Sequence, residues 1–143
     1  MPLDNPTATV PQNTLVKTVT FTGAAGAGAT GSVLVATITG LVEILKLIPV
    51  CTADLIGATA TISLGVVGAV TQFVGVTTAT TIDNGQYWLS TTPGILGLAV
   101  PSALKEIIIA ANIVMDVLVQ AVTGGSLRFD ITWRPVSAGA SLV

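Results

Sequence analysis

Residues 126–135, SLRFDITWRP, decide the fold class. Large apolar residues alternate with polar ones, so one side carries Leu127, Phe129, Ile131 and Trp133, and the other carries Arg128, Asp130, Thr132 and Arg134. A repeat of two residues is that of a β-strand with one buried face. The proline that follows, Pro135, lacks a backbone N–H and should end the strand. The stretch therefore predicts a strand whose apolar side faces a core.

Similar short segments, separated by turn residues, recur on the N-terminal side of this strand. They lie at residues 15–22, 32–39, 41–50, 58–64 and 86–90. Pro49 should end the pairing of the third run. Residues 105–122 are rich in β-branched side chains and are interpreted as two strands with a break near Ala111-Asn112. No amphipathic helix interrupts the series, which predicts an all-β fold. We expect a single domain over residues 14–143, an antiparallel β-sandwich or barrel of jelly-roll-like form.

The N-terminal segment, residues 1–13, differs in composition from this domain. It contains Pro2, Pro6 and Pro11 and few large apolar residues. Proline fixes φ and cannot donate a backbone hydrogen bond, so the segment is predicted to be an extended arm. Leu3 and Val10 are apolar residues in this thin segment, and they are candidates for contacts with a neighbouring subunit.

A glycine-rich stretch at residues 23–31, GAAGAGATG, contains the spacing Gly26-x-Gly28-x-x-Gly31. This is the spacing of a dinucleotide-binding turn, which requires a helix to begin at the glycines so that its N-terminus faces the phosphates. The following residues, SVLVATIT at 32–39, are β-branched and favour a strand. The stretch is therefore predicted to be a loop between two strands, without a nucleotide cofactor.

Charged residues make up only 8% of the 143 residues, whereas ordinary soluble domains have roughly 25%. Because charged residues are so few, they cannot cover the surface of an isolated domain. We therefore expect a membrane or another protein to cover part of that surface. Residues 55–82 carry no charge and are long enough to cross a bilayer, but they are rich in threonine and glycine and no basic cluster orients them. We therefore expect no membrane partner and a homo-oligomer instead. The net charge of −2, without a basic patch, argues against a nucleic-acid partner.

The chain contains no recognisable catalytic motif. Histidine is absent, Cys51 is the single cysteine, and the acidic residues show no spacing suited to acid–base catalysis or metal binding. Asp83-Asn84-Gly85 is explained as a turn, since these residues tolerate positive φ. The sequence predicts a protein that is not an enzyme, with no catalytic residues, no metal and no cofactor.

Two groups of residues are candidates for an interface. One group lies on the polar side of the strand predicted at residues 126–135 and consists of Arg128, Asp130 and Arg134. These residues form either a polar ladder that faces a neighbouring subunit or a strand face exposed to solvent. Tyr87 and Trp88 are adjacent in sequence and should point to opposite faces, so one of them is expected to be exposed. Aromatic residues of this kind are common at the centre of protein interfaces.

The order of motifs over most of the chain resembles that of small structural proteins of tailed bacteriophages and prophages. The resemblance rests on VKTVTFTG at 16–23, VATITGLVEILKLIPVCTADLIGATATISLG at 35–65, TTATTIDNGQYW at 77–88 and GGSLRFDITWRPVSAGASLV at 124–143. Within this group the chain resembles capsid decoration (cement) proteins. The resemblance implies a β-rich, commonly trimeric protein that binds the major capsid protein at local threefold positions of the outer capsid, often with an extended terminal arm.

This resemblance implies a location on the capsid surface of the virion, after assembly in the cytoplasm of a bacterial host. A single reduced cysteine fits that compartment. Two other classes of protein remain open from the sequence. One is a phage tail-tube or head–tail joining subunit, which would share the composition but form rings. The other is a ligand-binding β-barrel, in which the apolar excess would line a cavity.

Overall fold

The computed structural model describes residues 12–143. Of the predicted arm, residues 1–11, including Leu3 and Val10, lie outside the described range, and Asn13 already belongs to the first strand. The described residues form ten strands: β1 Asn13–Thr20, β2 Gly31–Ala36, β3 Ile38–Thr39, β4 Val42–Ile56, β5 Thr61–Val66, β6 Ala69–Thr78, β7 Ile107–Ile109, β8 Ile113–Leu118, β9 Gly124–Pro135 and β10 Ser141–Leu142. Two short 3₁₀ turns cover Ala79–Thr81 and Ser102–Leu104.

The eight longer strands form two four-stranded antiparallel sheets. Sheet A has the order β1-β9-β4-β7 and sheet B the order β2-β8-β5-β6, and β3 pairs with β10 in a small third sheet. The pairs β1–β9, β2–β8, β4–β7 and β5–β6 make the first half of the chain antiparallel to the second half. The two halves of the chain therefore form one long hairpin, with its turn between β5 and β6. Successive strand pairs along this hairpin belong alternately to the two large sheets. This winding confirms the jelly-roll-like all-β prediction.

Of the two predicted forms, sandwich or barrel, the structure has the sandwich: within residues 12–143 the two large sheets stay separate and pack face to face. The apolar side of β9 lies between them as predicted, since Leu127, Phe129 and Ile131 have no exposed surface and Trp133 is 9% exposed. Strand β9 is also central in sheet A, where it pairs with β1 on one side and β4 on the other. Its alternation was a clear signal because a central strand of a sandwich has one face in the core.

The expectation that Pro49 ends strand pairing is wrong. Strand β4 continues to Ile56, and Pro49 lies opposite Phe129 in the ladder with β9. The carbonyl of Pro49 accepts a hydrogen bond from the backbone N–H of Trp88, at 3.0 Å, on the side of β4 that faces away from β9. Backbone N and O of one residue in a strand point to the same side, so the missing N–H of Pro49 falls outside the β4–β9 ladder.

The interpretation of residues 105–122 as two strands is confirmed, with β7 ending at Ile109 and β8 beginning at Ile113. Asn112, in the break, accepts a hydrogen bond at its side-chain oxygen from the backbone N–H of Ile38, at 2.8 Å. The uncharged residues 55–82 form the end of β4, strands β5 and β6 and a 3₁₀ turn. In the part of the chain that is described, no helix has the length and apolar character needed to cross a membrane.

Candidate functional site

The outer face of sheet A, the side turned away from the core, carries most of the residues singled out in the sequence. Residues directly opposite in an antiparallel ladder project to the same side of the sheet. One row of this face contains Thr18, Arg128 and Val50, and the next row contains Val16, Asp130 and Ile48. Val16 is 58% exposed on this face.

Residues 85–89 extend this face beyond β4. The N–H of Gly85 donates to the carbonyl of Cys51 and the N–H of Cys51 donates to the carbonyl of Gln86, each at 2.8 Å. Tyr87 lies opposite Val50, so its side chain joins the outer face, where it is 38% exposed. Trp88 consequently points the other way, into the core. The expectation that Tyr87 and Trp88 face opposite sides is confirmed.

Trp88 is therefore a core residue, which corrects its place among the interface candidates. Its side chain has no exposed surface. The indole Nε1–H donates a hydrogen bond of 2.9 Å to the hydroxyl of Thr77, and that hydroxyl donates to the carbonyl of Gly75 at 2.9 Å. Thr77 is itself buried, so the pair satisfies two polar groups inside the sandwich. In this fold Trp88 contributes to stability and does not reach a partner directly.

An apolar pocket of about 280 Å³ opens on the outer face beside Tyr87. It is lined by Ile48, Tyr87, Leu89, Ile95, Gly97, Leu98 and Val100. The loop that forms its wall also presents Leu96, which is 89% exposed. No lining residue carries a charge at neutral pH, so the pocket suits an apolar group and offers no acid–base chemistry. We call the pocket together with Leu96 the apolar pocket region.

The polar residues of this face form two separate ion pairs instead of one ladder. Arg128 and Asp130, on the same strand, form a two-point contact with N–O distances of 3.0 and 3.2 Å. Arg134 pairs across the sheet with Glu43 of β4. The hydrogen bond to Asp130 raises the pKa of Arg128 above its ordinary value, and the nearby negative charge adds to this. Both pairs are partly exposed, so each stabilises the fold only weakly and adds no net charge to the face.

Cys51 is buried, and its thiol donates to the carbonyl of Ala53 at 3.0 Å. Burial raises the pKa of the Cys51 thiol, so it stays protonated at neutral pH and is a poor nucleophile. Within residues 12–143, no three Asp, Glu, Cys or His side chains come together in a way that could hold a metal ion.

In the glycine-rich loop, backbone N–H groups that a bound nucleotide would require are already hydrogen-bonded within the loop. The N–H groups of Thr22 and Gly23 donate to the carbonyl of Ala27, and the N–H of Ala29 donates to the carbonyl of Ala24. Strand β2 begins at Gly31, which confirms the predicted strand after the glycines and leaves no helix N-terminus for a pyrophosphate. The glycines instead permit a compact loop that packs against Val122.

Replacing Gly28 with alanine should therefore destabilise the domain, by about 3 kcal/mol or more. Gly28 has φ of 120°, and an added Cβ would overlap the carbonyl oxygen of Val122. Gly26 is the matched control: its φ is 76°, but nothing lies near the added Cβ, so Gly26→Ala should cost only about 1–2 kcal/mol. Urea unfolding of both variants checks this. Equal effects would show that the approach of Gly28 to Val122 is not what requires glycine there.

The apolar pocket region was not predicted from the sequence, because the prolines and glycines of residues 91–101 are typical of a surface loop. The available signal was the apolar residues Ile95, Leu96 and Leu98 within a segment of turn-forming residues. Loops usually carry polar residues at the surface. Large exposed apolar groups in such a loop therefore indicate contact with another molecule.

Comparisons with known proteins give one informative result. No family model matches the sequence, and no curated protein matches it. The fold is similar to that of a chain in the cyanophage Pam1 capsid asymmetric unit, with a TM-score of 0.52 and 18% sequence identity. The similarity covers 94% of this chain and 99% of the other. At this identity the likeness establishes a shared fold over nearly the full length of both chains.

Proposed function

We propose that this chain is a non-enzymatic structural protein of a phage virion and, within that class, a capsid decoration protein. The observation that carries the proposal is the fold shared along nearly the whole chain with a component of a phage capsid unit. Because the likeness spans both chains almost entirely, it supports a common architecture and not merely a common motif. Fold alone does not determine function, so the surface must supply the rest of the argument.

The outer face of sheet A supports a role in protein contacts. It combines the apolar pocket region, the exposed Val16 and Tyr87, and the Arg128–Asp130 ion pair on the central strand β9 between them. Exposed apolar and aromatic groups beside paired polar groups are typical of protein interfaces. We propose that this face binds the major capsid protein, with Tyr87, Arg128, Asp130 and Arg134 at the contact, and that the protein itself forms a homotrimer on the outer capsid surface. Neither nucleic acid nor membrane is needed for this role.

The experiment uses capsids from a phage or prophage strain in which the gene for this chain is deleted. Purified protein is added back, bound and free fractions are separated by sedimentation, and the particles are imaged by cryo-electron microscopy. We expect saturable binding at symmetric positions on the outer surface, and raised resistance of the particles to heat. Binding should change little between low and high salt, since few charges are involved. Failure to bind, or rings of the free protein that join tails to heads, would overturn the decoration role.

A further inference from the structure

The outer face of sheet B, the side turned away from the core, is a second surface, separate from the one assigned to the capsid contact. One row across this face contains Ser32, Asp116 and Ser63, which lie opposite one another on β2, β8 and β5. Leu34, at 48% exposure, and Leu118, at 42%, lie on either side of that row. A carboxylate is thus set between exposed apolar side chains in the middle of the sheet.

The charge of Asp116 is not balanced on this face. Within residues 12–143 the two ion pairs described above both lie on sheet A, and neither includes Asp116. The hydroxyl of Ser63, directly opposite Asp116, is buried and has no hydrogen-bond partner in the same range. A partner without a cation would leave this carboxylate desolvated and unpaired when it covered the row. A partner that fits the face therefore brings a basic side chain.

The turn after β8 exposes an apolar residue in a strained conformation. Val119 has φ of 72°, and the N–H of Gln120 donates to the carbonyl of Leu118 at 2.8 Å, which closes a three-residue turn. Such a turn is strained, and a β-branched residue is unfavourable at positive φ. Apart from Glu106, every other described residue with positive φ is glycine. Because Val119 is 74% exposed, packing within the subunit does not explain it, and a contact outside the subunit does.

The chain itself supplies a basic side chain for this row. Lys46 lies opposite Thr132 on the outer face of sheet A, which is assigned to the capsid contact. Lys105 is followed directly by Glu106, so that loop carries no net charge. The third lysine is Lys17, in the middle of β1, an edge strand that pairs only with β9. Lys17 is therefore the cation best placed to meet another copy.

The surroundings of Lys17 fit those of Asp116. Leu15 and Val19 lie two residues before and after Lys17, so they project to the same side of β1. Lys17 and Asp116 are both half-buried, and solvent screens an ion pair between such groups less than an exposed pair. The two surfaces are different parts of the chain. A contact between them is head-to-tail and closes into a ring, such as a trimer, if the rotation allows it.

We propose that the outer face of sheet B binds a second copy of this chain. Asp116 of one subunit pairs with Lys17 of the partner subunit, and Val119 packs against the edge formed by the partner's β1. Opposite charges fix the register of this contact, and the apolar groups beside them exclude water. The inference rests on the proposed homotrimer but not on the decoration role.

Sedimentation equilibrium of the full chain, without capsids, tests the ion pair. We expect Asp116→Lys, Lys17→Asp and the isosteric Asp116→Asn each to weaken self-association about tenfold or more. The double variant Asp116→Lys with Lys17→Asp restores the pair with reversed charges and should associate within about threefold of the unmodified protein. The matched control is Asp116→Lys with Lys105→Asp, which has the same net charge and should not be rescued. Circular dichroism verifies that each variant is folded.

The outcomes separate this inference from the proposed function. A monomeric unmodified protein at micromolar concentration would overturn both the homotrimer and this contact. An oligomer that none of the variants weakens would overturn this contact alone, and equal rescue by Lys17→Asp and Lys105→Asp would overturn the pairing with Lys17. The decoration role is tested separately, by the capsid sedimentation described above.

Val119→Asn tests the contact without changing charge. Asparagine tolerates positive φ, so this variant should unfold at a higher urea concentration than the unmodified chain when both are diluted to separate subunits. Its self-association should nevertheless be about fivefold weaker or more, because the apolar contact is lost. A lower urea midpoint would show that folding itself requires the valine, and unchanged association would show that Val119 does not reach the partner. Either result would overturn the assignment of this turn to the contact.

Discussion

Replacing Trp88 with alanine should lower the free energy of unfolding by about 3–5 kcal/mol, which is a large part of the stability of a domain this size. The side chain has no exposed surface, and its removal leaves a cavity between the sheets. It also leaves the buried hydroxyl of Thr77 without the indole N–H that now donates to it at 2.9 Å. Both effects act in the folded state, so chemical denaturation followed by circular dichroism measures their sum.

Tyr87→Ala is the matched control for this prediction. Tyr87 is the preceding residue and also aromatic, but it lies on the outer face at 38% exposure. We expect it to cost less than half of the Trp88→Ala effect. Trp88→Phe separates the two contributions, since it keeps most of the volume but removes the hydrogen bond, and should cost about 1–3 kcal/mol. If Trp88→Ala were no more destabilising than Tyr87→Ala, the burial of Trp88 in this fold would be wrong.

Replacing Leu96 with aspartate should weaken binding to decoration-free capsids about 30-fold or more, while leaving the stability of the free protein nearly unchanged. The residue is 89% exposed, so folding does not depend on it, yet it stands beside the pocket on the face proposed to meet the capsid. A hot-spot residue at an interface contributes about 2 kcal/mol or more, and a buried unpaired carboxylate adds a desolvation cost.

The control for this second prediction introduces the same charge elsewhere. Val67→Asp, on the β5–β6 turn at 59% exposure, should bind capsids as well as the unmodified protein does. The sedimentation assay described above measures both variants, and thermal unfolding verifies that each is folded. Equal loss of binding by both variants would indicate a general effect of added negative charge and not a contact at Leu96. Full binding by Leu96→Asp would place the capsid contact on another face.

Strict alternation in residues 126–135 was enough to predict strand β9 and its buried side, because the backbone of a strand turns successive side chains to opposite faces whatever it pairs with. The same local logic predicted the break at Asn112, where β7 and β8 are separate strands. It also identified the strand after Gly31, since β-branched residues favour strands over helices through their own side-chain entropy. These features depend on neighbouring residues only.

Features that depend on pairing partners required the tertiary structure. Glu43 and Arg134 are 91 residues apart, and nothing in either segment indicates that β4 and β9 bring them together. Pro49 continues its strand because its missing N–H happens to face away from β9, a consequence of register that composition does not encode. Tyr87 and Trp88 were predicted to face opposite sides. Which of the two is buried depends on the pairing of residues 85–89 with β4. Alternation defines two faces of a strand, but only the packing of the sheets determines which face lies in the core.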